Sequence, residues 1–289
     1  MTLIDLVTPQ TISSALERSA GLVISPDLIT LEQRKWRWIA YLPGDLIAWI
    51  PVDLAGAERL GREGRLLQFL EGRVSFGLPS VHYVDPDLRL QVRRKIPGVQ
   101  VGGEGAGARE FGALPQGLRL AGDLGRALGE LHLAVPPAQA QELGYGSRRF
   151  LPDAYELHGR LASKISGQPI ATTFDRLLEI YKRFEPPSRD LVLLHGDIWG
   201  GNLAVNPLSG ALNSLFDFVD ACVADRHLDF IYAHSFGEKF RKGSFAAYAS
   251  TTGIELSGQR TAMYYALSAF AALSDTRNKS EALEERIKK

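Results

Sequence analysis

Cysteine is almost missing from this 289-residue chain, where Cys222 stands alone. One thiol excludes an intrachain disulfide and any structural zinc site built from cysteines. An excess of either charge is missing as well, because 33 basic residues offset 33 acidic ones and leave a formal net charge of zero. That balance supplies no general attraction to nucleic acid or to an anionic membrane, so neither is expected as a partner. Long hydrophobic runs are absent: no stretch approaches the roughly 20 apolar positions of a membrane span. Met1-Thr2-Leu3-Ile4-Asp5-Leu6 has neither the basic start nor the apolar core of a signal peptide. A cytoplasmic protein without repeats is the expectation, and a hydrophobic content of 45% is enough for a real core.

What is present is concentrated in one stretch. Leu193-Leu194-His195-Gly196-Asp197-Ile198-Trp199-Gly200-Gly201-Asn202 is followed closely by Phe216-Asp217-Phe218. Moving a γ-phosphoryl group asks little covalent chemistry of a protein, but it needs a carboxylate to orient the attacking hydroxyl and oxygen ligands for Mg²⁺. Asp197 offers the base, Asn202 an amide oxygen, and Asp217 the carboxylate that a hard cation prefers. At average usage the four letters of H-G-D-x-x-x-x-N meet by chance in roughly one chain of this length per thousand. Residues 203–206 and 212–216 read as two short strands joined through Pro207-Leu208-Ser209-Gly210. A turn centred on Ser209-Gly210 sets Asn202 opposite Asp217, and such paired Cα atoms lie about 4.5 to 5.5 Å apart.

These residues resemble the aminoglycoside phosphotransferase-like small-molecule kinases. The resemblance implies an α+β, two-lobed protein-kinase-like fold with a small β-rich N-lobe and a larger, mainly helical C-lobe. It places nucleotide binding in residues 1–98 and catalysis with substrate binding in 99–289. It further implies Asp197 as catalytic base with His195 beside it supporting the catalytic loop, Asn202 and Asp217 on Mg²⁺, ATP or GTP as donor, and a small-molecule hydroxyl acceptor. Residues 217–230 are similar to the family pattern D-[FW]-x-D-A-x-x-x-D-P-x-x-D-[FL], with Arg226 at the usual proline. Within it, Asp225 and Asp229 read as acceptors that fix loop and helix ends. Trp199-Gly200-Gly201 looks like the ketosamine (fructosamine) kinases, whereas Asp229-Phe230-Ile231 and Phe236-Gly237-Glu238 look more like macrolide and aminoglycoside kinases. Trp199 and Asp220 are the candidate acceptor contacts.

The first lobe departs from the family. Strand-like runs cover 36–41, 46–52 and 88–92, one helix spans about 56–71, and Pro97-Gly98 forms the link. On that helix Glu63 shares the apolar face of Leu60, Leu67 and Leu70. In kinases this glutamate pairs with a strand lysine that holds the α- and β-phosphates. The lysine position falls on Trp49, which cannot neutralise phosphate, and residues 30–38 lack the glycine-rich turn. Two readings follow. The chain is a kinase in which Lys35, Arg37 or Arg94 has taken over the charge and Trp49 packs on the nucleotide base or ribose. Alternatively, it is a catalytically impaired relative serving as a nucleotide- or partner-binding module. Glu63, Trp49 and Arg37 are thus the candidate nucleotide residues, together with Ile96, in whose neighbourhood the backbone would choose ATP or GTP.

Other features are blander. Gly102-Gly103-Glu104-Gly105-Ala106-Gly107 reads as a flexible loop, not a phosphate cradle. Leu120, Leu124, Leu128 and Leu131 recur at helical spacing and point to a core helix, with His132 as a satisfied core or interface histidine. Asp197, Asp217, Asp220, Asp225, Asp229 and Glu238, against Arg226 as the one fixed cation of that stretch, form a field that would attract an amine-bearing acceptor. Helices at 261–273 and 279–289 are candidates for a partner surface, although Tyr264, Leu267 and Phe270 have core spacing.

Overall fold

Five antiparallel strands, in the order β1-β2-β3-β5-β4, build the first part of the chain: β1 (Thr30–Gln33), β2 (Arg37–Leu42), β3 (Leu46–Pro51), β4 (Val81–Val84) and β5 (Gln91–Arg94). The computed structural model describes residues 7–84, 90–101, 106–151 and 154–274. The readings made for residues 1–6, for 88–89 of the third strand, for the glycine-rich loop at 102–105 and for a helix at 279–289 lie outside them. The chain divides into two compact units, Met1–Gly98 with Asn213–Val219, and Val99–Leu212 with Asp220–Lys289. Residues 213–219, which the sequence division gives to the second lobe, therefore cluster with the first.

Period-two alternation gives the sheet of the first unit two different faces. Ala40, Ala48, Ile50 and Val92 pack on Ile12, Ala15 and Leu16 of α1 (Pro9–Ala20). That helix starts in a reciprocal cap between Thr8 and Thr11 and ends at Gly21 with φ 64°. The opposite face carries Arg37, Ile39, Trp49, Gln91 and Arg93, because Trp49 pairs with Ile39 on one side and Gln91 on the other. Helix α2 (Leu54–Leu70), capped by Asp53 accepting from Gly56 N–H, buries Leu60, Glu63, Leu67 and Leu70. The segment that rejoins this unit docks beside Gly77, whose N–H donates to the Asn213 carbonyl at 2.8 Å and whose own carbonyl accepts from Leu215 N–H at 3.2 Å.

The second unit begins with β6 (Val99–Gln100), antiparallel to β8 (Leu203–Val205), followed by α3 (Ala106–Ala113) and α4 (Pro115–Ala134). After α5 (Pro137–Glu142), α6 (Ala154–Ile165) and α7 (Pro169–Arg183), strand β7 (Leu191–Leu194) pairs with β10 (Cys222–Asp225). Between them, β9 (Leu212–Leu215) carries the chain back to the first unit, and α8 (Glu238–Thr252) and α9 (Gly258–Ser274) close the described chain. Helices α4 and α8 approach so closely that a Cβ at Gly125 would stand 2.1 Å from the Ser244 carbonyl oxygen. Leu157, Leu161, Phe174, Leu178, Tyr264, Leu267 and Phe270 join α6, α7 and α9 in one core. Tyr264, Leu267 and Phe270 of α9 thus belong to the interior. No helix among the described residues is long and apolar enough to cross a membrane.

The hairpin closes in a different register from the one expected. Asn206 N–H donates to the carbonyl of Ala211 at 2.9 Å, whereas a turn centred on Ser209-Gly210 pairs residue 206 with residue 213. The alignment of Asn202 with Asp217 does not follow from this turn.

Candidate active site

Strand β7 delivers the motif of the second unit. Beyond Leu194 the chain turns at Gly196, φ 85°, where a Cβ would stand 2.3 Å from the Asp220 carbonyl oxygen. Only glycine fits that position. Buried Asp229 fixes the turn, its Oδ2 accepting from His195 N–H at 2.8 Å and its Oδ1 from Gly196 N–H at 2.9 Å. His132 Nε2 lies 3.1 Å from Asp229 Oδ2, His132 Nδ1 lies 2.9 Å from the Tyr248 hydroxyl, and that hydroxyl accepts from Arg226 Nη1 at 2.7 Å. Burial lowers the pKa of His132 against the opposing pull of Asp229, so the ring is neutral near pH 7. The network then assigns its one proton to Nε2, with Nδ1 accepting from the Tyr248 phenol, which burial pushes up to about 12. Four side chains in series therefore end on two backbone N–H groups of the loop.

Asp197 is held within the same turn. Its N–H donates to His195 Nδ1 at 3.3 Å, and Asn202 Nδ2 donates to its carbonyl oxygen at 2.8 Å and to its Oδ2 at 2.9 Å. With both amide hydrogens spent on Asp197, the amide oxygen of Asn202 is the atom that could hold a metal. Asn202 ends a 3-10 turn, Gly200–Asn202, that docks on Val101: Val101 N–H donates to the Gly200 carbonyl at 3.1 Å, and a Cβ at Gly200 would stand 2.2 Å from Val101 O. His195 is fully buried, with its Nδ1 beside the N–H of Asp197. Trp199 lies across Gly201 and keeps 38% of its surface exposed, and Asp220 is exposed too.

In the first unit α2 presents Glu63, which has no exposed surface. Its Oε2 accepts from Arg93 Nη2 at 2.6 Å and its Oε1 from Phe218 N–H at 2.9 Å. Arg93 Nη2 also reaches Gln91 Oε1 at 2.7 Å, and Gln91 Nε2 donates to the Leu60 carbonyl at 2.8 Å. Arg37 makes a two-pronged pair with Asp217, Nη1 to Oδ1 at 3.1 Å and Nη2 to Oδ2 at 2.9 Å. Asp217 takes φ 68°, a left-handed conformation that costs a non-glycine residue energy and is stored at functional positions. Trp49 lies between the two arginines, with the Arg37 Cζ 3.7 Å and the Arg93 Cζ 3.9 Å from its ring centroid.

A model of the phosphotransferase enzyme family matches residues 31–263. The chain belongs to that family. Its fold is the kinase-like fold of the aminoglycoside phosphotransferases. It is similar to the GDP complex of wild-type aminoglycoside 2'-phosphotransferase-IIIa, at 18% identity over 98% of this chain and 99% of that one, with a TM-score of 0.76. It is also similar to macrolide 2'-phosphotransferase MphH from Brachybacterium faecium, at 18% identity over 96% of each chain and a TM-score of 0.69. The ternary complex of streptomycin, ATP and APH(2")-IIa matches at 16% identity over 96% and 94% of the chains, with a TM-score of 0.61. Among curated protein sequences none matches.

For a phosphotransferase the first unit holds the surprise. The partner of Glu63 is Arg93, which is not among the three cations named from the sequence, whereas Lys35 and Arg94 are exposed. The signal was there: Arg93 stands one residue beyond buried Val92, so alternation turns it to the face of Trp49, but the strand register that makes them neighbours is not written in the sequence. Trp49 is only 6% exposed and stacked on both sides, which removes it as a platform for a base or ribose. Ile96 is half-buried in the segment between β5 and β6.

Three acids of the expected field are engaged elsewhere. Asp229 is spent on the loop, and Asp225 caps the 3-10 helix Arg226–His234 while accepting from the Tyr264 hydroxyl at 2.8 Å. Asp190, Asp225 and His227 bring ligand atoms within 4.8 Å of one another, yet Arg260 Nη1 already lies 2.6 Å from Asp190 Oδ2 and 3.4 Å from Asp225 Oδ2. That cluster carries its own cation. Glu238 is paired with Lys242 at 2.6 Å. A cavity of about 920 Å³ opens within the second unit, walled by Leu177, Ile180, Phe184 and Met263 with Arg109, Arg260 and His234, and no carboxylate lines it among the described residues. His234 stacks on Tyr265, and burial together with Arg241 lowers its pKa to about 4, so it is neutral at pH 7.

Proposed function

We propose that this chain transfers the γ-phosphoryl group of ATP or GTP, with Mg²⁺, to a hydroxyl of a small and largely apolar molecule. The observation that carries this reading is Asp197, fixed at the end of β7 by Asn202 and by a loop that Asp229 anchors. Asp197 hydrogen-bonds the acceptor hydroxyl, aims its oxygen, and takes its proton at the carboxylate as the new O–P bond forms and the bond from the γ-phosphorus to the β–γ bridging oxygen breaks, releasing the nucleoside diphosphate. Asn202 Oδ1 and the Asp217 carboxylate would hold the metal. Both are the oxygen donors that Mg²⁺ prefers, and the two Asp217 oxygens, which here pair with Arg37, would turn from it to the metal. The chemistry such a metal would supply is neutralisation of charge on the transferring group.

The acceptor class rests on the cavity of the second unit. Its volume of about 920 Å³ suits a drug-sized ligand, and its apolar walls with arginine heads suit a macrolide-like acceptor better than a polyamine. The 3-10 helix connects it to the loop: Asp229 holds the loop, and His234, five residues on and about 10 Å away at 2.0 Å per residue, lines the cavity.

Phosphate transfer from ATP and GTP to a panel of aminoglycosides, macrolides and ketosamines, followed by mass spectrometry, tests both levels. Macrolide-like acceptors should be modified first. Asp197→Ala should keep nucleotide affinity and lose about 10²- to 10⁴-fold in transfer, and Asp217→Ala should lose Mg²⁺-dependent nucleotide binding. Undiminished turnover by Asp197→Ala would sink the mechanism, and nucleotide saturation without turnover on any acceptor would favour a binding module instead.

A further inference from the structure

We infer that the two duties of the missing strand lysine are divided between two arginines on either side of Trp49: Arg93 neutralises Glu63, and Arg37 is the cation that meets the nucleotide phosphates. The inference rests on the nucleotide-dependent transfer proposed above. In kinases one lysine pairs with the helix glutamate and with the α- and β-phosphates at once. Here the indole of Trp49 fills the lysine's position, and β2 and β5 flank it with one arginine each.

Register explains how. Trp49 pairs with Ile39 and Gln91, so Arg37, two residues before Ile39 on β2, and Arg93, two residues after Gln91 on β5, are its diagonal neighbours on the same face of the sheet. Two guanidinium groups less than 4 Å from one ring centroid cannot share a face of that ring, so the indole separates them. Both gain from the π-system while their charges are kept apart.

Access assigns the roles. The side chain of Arg93 is 1% exposed and is tied to Glu63, whose second oxygen is taken by Phe218 N–H. It can balance the buried carboxylate but cannot reach a ligand. The Arg37 side chain is 11% exposed and its partner Asp217 22%. Its Nη atoms engage a carboxylate with the paired geometry that also recognises phosphate.

Isothermal titration of the full chain with Mg·ATP, Mg·GTP and the two nucleosides distinguishes the possibilities. Arg37→Ala should weaken nucleotide binding at least tenfold and leave nucleoside binding unchanged. Adding Trp49→Lys to Arg37→Ala should restore nucleotide affinity, because a lysine then stands in the family's own position. Unchanged nucleotide affinity in Arg37→Ala overturns the inference, as does an equal loss of nucleotide and nucleoside, which would mark a general disturbance of the unit. Wild-type protein that binds neither ATP nor GTP would instead overturn the parent reading, and this inference with it.

Discussion

A buried charge is tolerated only with its partner, and Glu63 shows how completely a single residue can depend on that. Both of its oxygens are used, by Arg93 and by Phe218 N–H, at zero exposure. Glu63→Ala leaves the guanidinium of Arg93 buried and uncompensated beside Trp49, which should cost about 3 to 5 kcal/mol in urea unfolding. A loss below about 1 kcal/mol would show that the pair is open to water. Trp49 belongs to the same unit of charge, since its ring is what both arginines rest on. The left-handed Asp217 adds strain beside them, and its pairing with Arg37 is the visible compensation.

Among the elements, α4 and α8 offer the sharpest contrast. Gly125 and Gly122 lie one turn apart on α4, yet a Cβ at Gly125 would meet Ser244 O at 2.1 Å and a Cβ at Gly122 meets nothing within 4 Å. Gly125→Ala should therefore destabilise by about 1 to 3 kcal/mol through overpacking. Gly122→Ala should stabilise by about 0.5 to 1 kcal/mol through backbone entropy. Equal effects in denaturant titrations would contradict the close helix contact. Elements with strong periodicity were readable in advance, such as α4 through Leu120, Leu124, Leu128 and Leu131, and α2 through Leu60, Leu67 and Leu70. The candidate loop from His195 to Asn202 stands out in the sequence because the chemistry proposed for it would fix its spacing. Helix α1 was not, since only Ile12, Ala15 and Leu16 mark its buried face in a short polar segment. Arg93 and the hairpin register were not either, because pairing between strands is a tertiary choice that a period-two pattern leaves open.

At the scale of the whole molecule, one buried and one half-buried histidine couple stability to pH. His132 is lowered by burial against Asp229, and His234 is lowered to about 4 by burial and Arg241, from an ordinary value of 6.5. Both are neutral in the folded state, whereas the unfolded chain takes up protons below about pH 6.5. Their contribution is thus fully present above pH 6.5 and declines as pH falls through 6.5 toward 4. Unfolding free energy measured by urea titration should drop across that window, and His234→Gln should flatten the drop. An unchanged profile in the variant would remove His234 from this account.

The route of the chain has a consequence for biosynthesis. Residues 213–219 complete the first unit, although its other residues end at Gly98. A ribosome therefore finishes most of that unit and then synthesises the long intervening segment before Phe218 can cap Glu63 and Asp217 can meet Arg37. Until then the nascent first unit carries a half-satisfied ionic interior and stays an incomplete folding unit. A fragment ending at residue 98 inherits the same defect, and adding a separate peptide that spans 213–219 is the natural means of mending it.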